Sequence, residues 1–405
     1  MEKYKNRIEN YLSFIAEYGI YLYMFFLLFD KGEGLRNVGL YSALTAWLIL
    51  IFVTKKIKLS ADIITCGFLA FLFSIVLSSF FSLEPIYSFS YLKKDVLKAV
   101  ITFFIISSYF DTKMLLRLSK VICSSGLIIL IFGLHGFLTS EENLYTSTNI
   151  FLSVDKNEYG FFIGLFFPFF LMFFIKNNTM WGKSLWGLSL VWGVLGTIFS
   201  ASRGAMGNIF AAMGVWAAFL LKRKHLIKVL MVTFIFFVLS IISFNFWPEP
   251  LKRQFLTIQE ELWTVHDRTF LFWEPALEAV KKKPILGWGY GKRIIGDPRP
   301  FENGKMPSSE HKGGLHSTFI SVLFQQGVVG ILSYLLLLFS TSFMLLKIIR
   351  SETDERKLLA IALLSITVGS FFVNSFLLSV PLRRIAPFLG MSSALLKHRT
   401  KYLND

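Results

Sequence analysis

Three side chains in this 405-residue sequence have types and neighbours suited to chemistry. Arg203 sits in the short stretch "SASRGAMG" between two apolar runs. Ser200 and Ser202 beside it offer hydroxyls, and Gly204 lets the backbone come close. Free amide groups at the start of the following helix favour a phosphate at such a place. Arg268 lies in "DRTFLFWEPALEAVKKKPILGWGYG", shortly before Trp273. Two arginines on one membrane face can grip a pyrophosphate, because each planar guanidinium presents paired N–H groups to paired oxygens. Lys292, Arg293 and Arg299 thicken the same basic field as steering charges. His316 begins "HSTFISVLFQQGVVG", behind Gly313 and Gly314. An imidazole with an ordinary pKa of about 6.5 takes a proton at neutral pH, so it can serve as a general base.

Each of these residues also has a plain alternative. Arginine at a helix end snorkels to lipid headgroups. Arg268 can be a solvated surface residue or a phospholipid clamp. His316 can be a helix-start residue bonded to a nearby carbonyl. The acids Asp155, Glu158, Asp267, Asp297, Glu302 and Glu310 are scattered, without the close carboxylate pairing that holds Mg²⁺ or Mn²⁺, so no metal and no cofactor are expected. There is no P-loop and no serine–histidine–acid signature.

The elements that must position these residues are apolar. The chain is 54% hydrophobic and 17% charged, with 45 Phe. Apolar runs near 12–29, 38–53, 61–81, 95–110, 119–138, 158–175, 184–200, 204–221, 226–247, 316–346, 358–379 and 385–397 are each read as a span. That makes about twelve transmembrane helices in an all-α polytopic membrane protein. The runs lack the alternation of a β-barrel, and no internal repeat divides them into transporter-like halves. Cys66 and Cys123 fall inside apolar runs and are expected as small core fillers. Lys3, Lys5 and Arg7 precede the first run without a small-residue cleavage site, which predicts an uncleaved first helix.

A net charge of +16 would suggest nucleic acid as a partner of a soluble domain. Here it follows from basic short loops, and no nucleic acid is expected. "TKKIK" at 54–58, "KRKHLIK" at 222–228 and "RSETDERK" at 350–357 fall on one side with the N-terminus. That side is cytoplasmic by the positive-inside rule. The chain thus divides into helices one to nine (1–247), a large periplasmic loop (248–315), and helices ten to twelve with a cytoplasmic tail (316–405). Within the loop, Trp273, Leu277 and Val280 predict one face of a short helix started by Pro275 and ended by Pro284, followed by a turn at "GWGYG". Trp263, Trp273 and Trp288 suit the bilayer interface.

Taken in order, "SASRGAMG", "DRTFLFWEPALEAVKKKPILGWGYG" and "LHSTFISVLFQQGVVG" resemble the motifs of the O-antigen ligases, within the O-antigen ligase, polymerase and oligosaccharyltransferase superfamily. The motifs cover roughly 200 to 330, and the helix count with one large outer loop extends the resemblance. The resemblance implies a GT-C-type fold at the inner membrane and a metal-independent, inverting glycosyl transfer. The donor it implies is O-antigen polysaccharide on undecaprenyl pyrophosphate. The acceptor is a sugar hydroxyl of lipid A–core, at the periplasmic face among membrane lipids. It assigns the donor pyrophosphate to Arg203 and Arg268 and the base to His316. Ser202, Trp273, Lys292, Arg293 and Ser317 join them as substrate-binding residues. Ser317 stands where many relatives carry Asn, and a hydroxyl replaces one amide hydrogen bond but not two. The nearest rival is an O-antigen polymerase, which often shows an arginine followed eleven places on by glycine. Arg203 and Gly214 have that spacing, but Gly214 lies within a span. Another glycan or teichoic-type ligase is a further relative. A transporter would instead place ionisable residues near the bilayer midplane.

Overall fold

The computed structural model describes residues 2–29, 32–54, 61–139, 156–199, 203–220, 273–291, 315, 317–373 and 381–401. Among these residues there is no strand. The helices are α1 (Glu2–Phe26), α2 (Glu33–Thr54), α3 (Ile63–Phe80), α4 (Pro85–Tyr109), α5 (Thr112–Thr139) and α6 (Lys156–Lys176). They continue with α7 (Met180–Phe199), α8 (Arg203–Leu220), α9 (Glu274–Lys282), α10 (Thr318–Ser351), α11 (Asp354–Ile366) and α12 (Leu382–Lys401). Helix α11 runs on through a π-helical segment, Thr367–Val373. Helices stand at eleven of the twelve expected spans; the ninth, 226–247, lies outside the described residues.

Five of the described helices are long and apolar enough to cross a membrane: Glu33–Thr54, Ile63–Phe80, Thr112–Gly133, Tyr159–Lys176 and Thr318–Ser351. The chain is a multi-pass membrane protein. Helices α1 and α2 form a close hairpin at Gly19 and Gly39, where a Cβ on Gly19 would stand 2.6 Å from the Gly39 carbonyl oxygen. Small residues of this kind let membrane helices pack backbone to backbone. Asp62 caps α3 by accepting from the Ile64 and Thr65 amides at 2.8 and 2.9 Å, and its carboxylate also accepts from Ser393 on α12. The centre of the bundle is dense in phenylalanine. Phe161, Phe162, Phe166, Phe169 and Phe170 of α6 are all buried.

Several helices start earlier than their apolar runs, and α4 and α12 show why. The 95–110 run is the second half of α4, which begins at Pro85 and carries Lys93, Lys94 and Asp95 in its first turns. The 385–397 run belongs to α12, which begins at Leu382 with Arg383 and Arg384. Asp95 and Arg383 face each other across these two helices, so hydropathy marks only the apolar part of each element.

Helix α10 positions most of the site. Its 34 residues make it about 51 Å long at a rise of about 1.5 Å per residue, well beyond the hydrocarbon thickness of about 30 Å. It is broken at Gly327, where φ is 63° and ψ is −158°. At such a break the amides of Val328 and Val329 lose their helical acceptors, Phe324 and Gln325. The segment after α9 takes up all four groups. Val328 and Val329 donate to the carbonyls of Pro284 and Ile285 at 2.8 and 3.3 Å. Trp288 and Gly289 donate to the carbonyls of Phe324 and Gln325 at 3.0 and 2.9 Å. Irregular backbone survives in a membrane protein only where such groups are satisfied.

The turn at "GWGYG" is present, with Gly287, Gly289 and Gly291 all at positive φ. The α9 face differs from expectation: Ala276, Ala279 and Val280 are buried, whereas Leu277 is exposed. Helical periodicity allowed either choice, and the docking of α9 on α10 through Leu315, Phe324 and Trp288 selects the alanine side. Trp288 is not an interfacial residue. It is buried, its indole donates to the Ala279 carbonyl at 3.0 Å, and Lys283 stands over its ring. Trp263 lies outside the described residues. Cys123 is buried as expected; Cys66 is exposed on α3.

Candidate functional site

The end of the bundle where α3 stops and α4, α10 and α12 start is built from polar groups. On α4, Asp95 is almost wholly buried. Its Oδ2 accepts from the Tyr290 hydroxyl at 2.8 Å, and its Oδ1 stands 3.6 Å from Arg383 Nε on α12. Burial, and then the Asp95 carboxylate, push the Tyr290 hydroxyl well above its ordinary pKa, so it stays protonated and donates. Lys98, one turn further along α4, pairs with Glu33 at the start of α2 at 3.3 Å. Arg384 stacks over the Phe162 ring at 4.9 Å. The segment that bandages α10 is therefore also fastened to α4, whose Asp95 in turn faces Arg383 of α12.

Asp95 and Tyr290 line a partly open cavity of about 120 Å³. Phe71, Tyr91 and Tyr334 supply aromatic walls. Asp95 and Tyr290 stand on one side, and Thr318, Ser321 and Gln325 of α10 on another. Those three positions share a helix face by their spacing. Below the cavity, Ser74 donates to Gln326 Oε1 at 2.9 Å and Ser78 donates to the Gln325 carbonyl at 2.5 Å, which tie α3 to the broken turn.

The expected site residues are placed as follows. Ser317 is the N-cap of α10: its Oγ accepts from the Ile320 amide at 3.4 Å and its carbonyl accepts from Ser321 Oγ at 2.6 Å. Trp273 begins α9 and donates its indole N–H to the Leu315 carbonyl at 2.8 Å. Both residues thus hold the chain on either side of His316. Arg203 is the first residue of α8, and its side chain is outside the described set. Arg268, His316, Ser202, Lys292 and Arg293 lie outside the described residues. Lys292 follows Gly291, which lines the cavity.

The sequence also matches a known family over part of its length. Residues 188–335 match the model of the family described as O-antigen ligase. This stretch resembles the O-antigen ligases. It runs from α7 to the part of α10 just past Gly327, and it includes Arg203, Arg268 and His316. No curated protein matches the chain. The cavity is built jointly. Tyr290, Ser321 and Gln325 lie within the matched stretch, whereas Asp95 and the start of α12 come from helices outside it.

Sequence reasoning missed Asp95, Tyr290, Gln325 and Arg383. Three signals were available. A carboxylate opens an otherwise apolar run at 95, a glutamine pair interrupts another at 325–326, and "PLRR" stands just before the last run.

Proposed function

We propose that this protein is an O-antigen ligase. It transfers polysaccharide from undecaprenyl pyrophosphate to a sugar hydroxyl of lipid A–core at the periplasmic face of the inner membrane, completing lipopolysaccharide. The observation that carries this reading is the O-antigen ligase match over 188–335, which includes all three motif residues.

In this reading the fold has twelve membrane helices of GT-C type and one large periplasmic loop, 248–315, between the ninth and tenth. Arg203 and Arg268 hold the donor pyrophosphate. As the bond between anomeric carbon and pyrophosphate oxygen breaks, negative charge grows on the leaving group, and fixed guanidinium groups stabilise it without a metal. His316 takes the proton of the acceptor hydroxyl as its oxygen attacks the anomeric carbon from the opposite face, which inverts the centre. Ser202, Lys292 and Arg293 add polar contacts to the donor. Trp273 and Ser317 act through the positions they give the chain around His316.

A lipopolysaccharide gel from a strain deleted for the gene tests the reading. Loss of the long-chain ladder, with polymerised glycan still attached to its lipid carrier, is the expected result. A band of core plus one repeat identifies a polymerase instead.

A further inference from the structure

The cavity beside Ser317 contains polar atoms that the fold leaves unmatched. Asp95 is 4% exposed and Gln325 is 6% exposed, and both line the cavity. Asp95 Oδ1 and Gln325 Oε1 are buried and accept no hydrogen bond. Arg383 Nε, 3.6 Å from Asp95 Oδ1, is beyond hydrogen-bond reach. Buried acceptors in this state are costly and call for a donor.

We propose that this cavity binds a neutral sugar ring of the glycan substrate, with Asp95 and Gln325 accepting hydrogen bonds from its hydroxyls. The proposal rests on the glycosyl-transfer reading above and adds a sugar subsite apart from the pyrophosphate. Hydroxyls supply the donors that both oxygens lack. A pyrophosphate offers only negatively charged acceptors, and the Asp95 carboxylate repels it. The two nearby arginines are already engaged, Arg383 facing Asp95 and Arg384 lying over Phe162. A small cation would use the carboxylate and leave the rings of Phe71, Tyr91 and Tyr334 without a role. A sugar ring has flat C–H faces for aromatic walls and a rim of hydroxyls for a few placed acceptors, the usual division in a ligand pocket. The position suits the chemistry as well: Thr318, on the cavity wall, is two residues along the chain from His316.

The test uses the full-length protein in detergent and two probes: core oligosaccharide freed from lipid A, and polysaccharide freed from its lipid carrier. Binding is read by saturation-transfer NMR, and transfer by initial rates against each intact substrate. Gln325→Leu removes one acceptor. Asp95→Asn removes the charge while keeping the shape and an oxygen for Tyr290. Both variants are expected to weaken binding of one probe by at least fivefold and to raise the matching KM more than they lower kcat. An effect on the core oligosaccharide places the acceptor sugar here, and an effect on the polysaccharide places a donor sugar. If Gln325→Leu lowers the melting temperature, Asp95→Asn carries the test. Parent-like binding of both probes by folded Asp95→Asn overturns the proposal. Weakened sugar binding in a protein that transfers no glycan keeps the subsite and removes the transferase reading. Normal transfer with indifferent sugar binding does the reverse.

Discussion

On the proposed reading Arg203 and Arg268 hold the donor pyrophosphate, and their chemistry makes a distinct prediction. Alanine at either position should abolish transfer while the protein remains in the membrane at parent abundance. Lysine should rescue poorly, because an ammonium group is a point charge without the planar fork. Near-parent turnover in both alanine variants, measured with lipid-linked donor in detergent, removes them from the site. His316 makes a second prediction. A base must be neutral before it takes the proton, so activity should fall as pH drops through an imidazole pKa of about 6.5. General-base help is worth about 10² to 10⁴ in rate. His316→Gln keeps a hydrogen-bonding group but cannot take a proton near neutral pH. It should lose turnover on that scale while still binding the donor; turnover close to parent makes His316 a positioning residue. These three candidates were named from residue type and neighbouring motif, which the sequence displays directly. Asp95 and Tyr290 were not legible as a pair, because they meet only across a long separation in sequence. The Tyr290–Asp95 bond joins the segment after α9 to α4, and no local spacing encodes it.

At the scale of elements, the break in α10 governs how the outer segment is held. Four main-chain bonds join Pro284, Ile285, Trp288 and Gly289 to the broken turn. Gly327 permits this for two reasons. Its φ of 63° is one that side chains rarely adopt, and a Cβ there would collide with the Ile285 carbonyl. The conformational part alone costs about 1–3 kcal/mol, because this backbone region is essentially closed to other residues, and undocking of the segment adds to it. Gly327→Ala should therefore lower the melting temperature in detergent, speed proteolysis between α9 and α10, and reduce transfer at least tenfold. Gly214→Ala on α8, where a Cβ meets nothing within 4 Å, is the control and should behave as parent. Unchanged melting and proteolysis in Gly327→Ala means that the bandage contributes little. Helix positions were readable from apolar runs, and Pro284 and "GWGYG" marked the end of α9. The break itself was not readable. A single glycine in "QQGVVG" looks like any glycine in a membrane helix, and only the strand of chain from 284 to 289 makes it a junction.

The whole molecule carries the prediction on which the chemistry depends, its orientation. On the proposed reading, the short basic loops put the N-terminus and the 177–179 turn between α6 and α7 in the cytoplasm, and residues 248–315 in the periplasm. The bundle is consistent in its own terms. Asp95 on α4 meets Arg383 on α12 at one end, and at the other end Lys397 of α12 donates to the Ser108 carbonyl of α4. The starts of α4, α10 and α12 therefore share a side with the cavity, and α6 and α7 turn on the opposite one. The large outer loop is basic, but long loops escape the charge rule, so its lysines and arginines do not oppose this orientation. Single cysteines decide it, in a background where Cys66 and Cys123 are replaced by alanine. Cysteine at Ser308 should react with a membrane-impermeant thiol reagent in spheroplasts, and cysteine at Thr179 only after the inner membrane is permeabilised. The opposite pattern would put the cavity and the three motif residues in the cytoplasm. They would then be on the wrong face for a lipopolysaccharide acceptor, and the ligase reading would fall with the orientation.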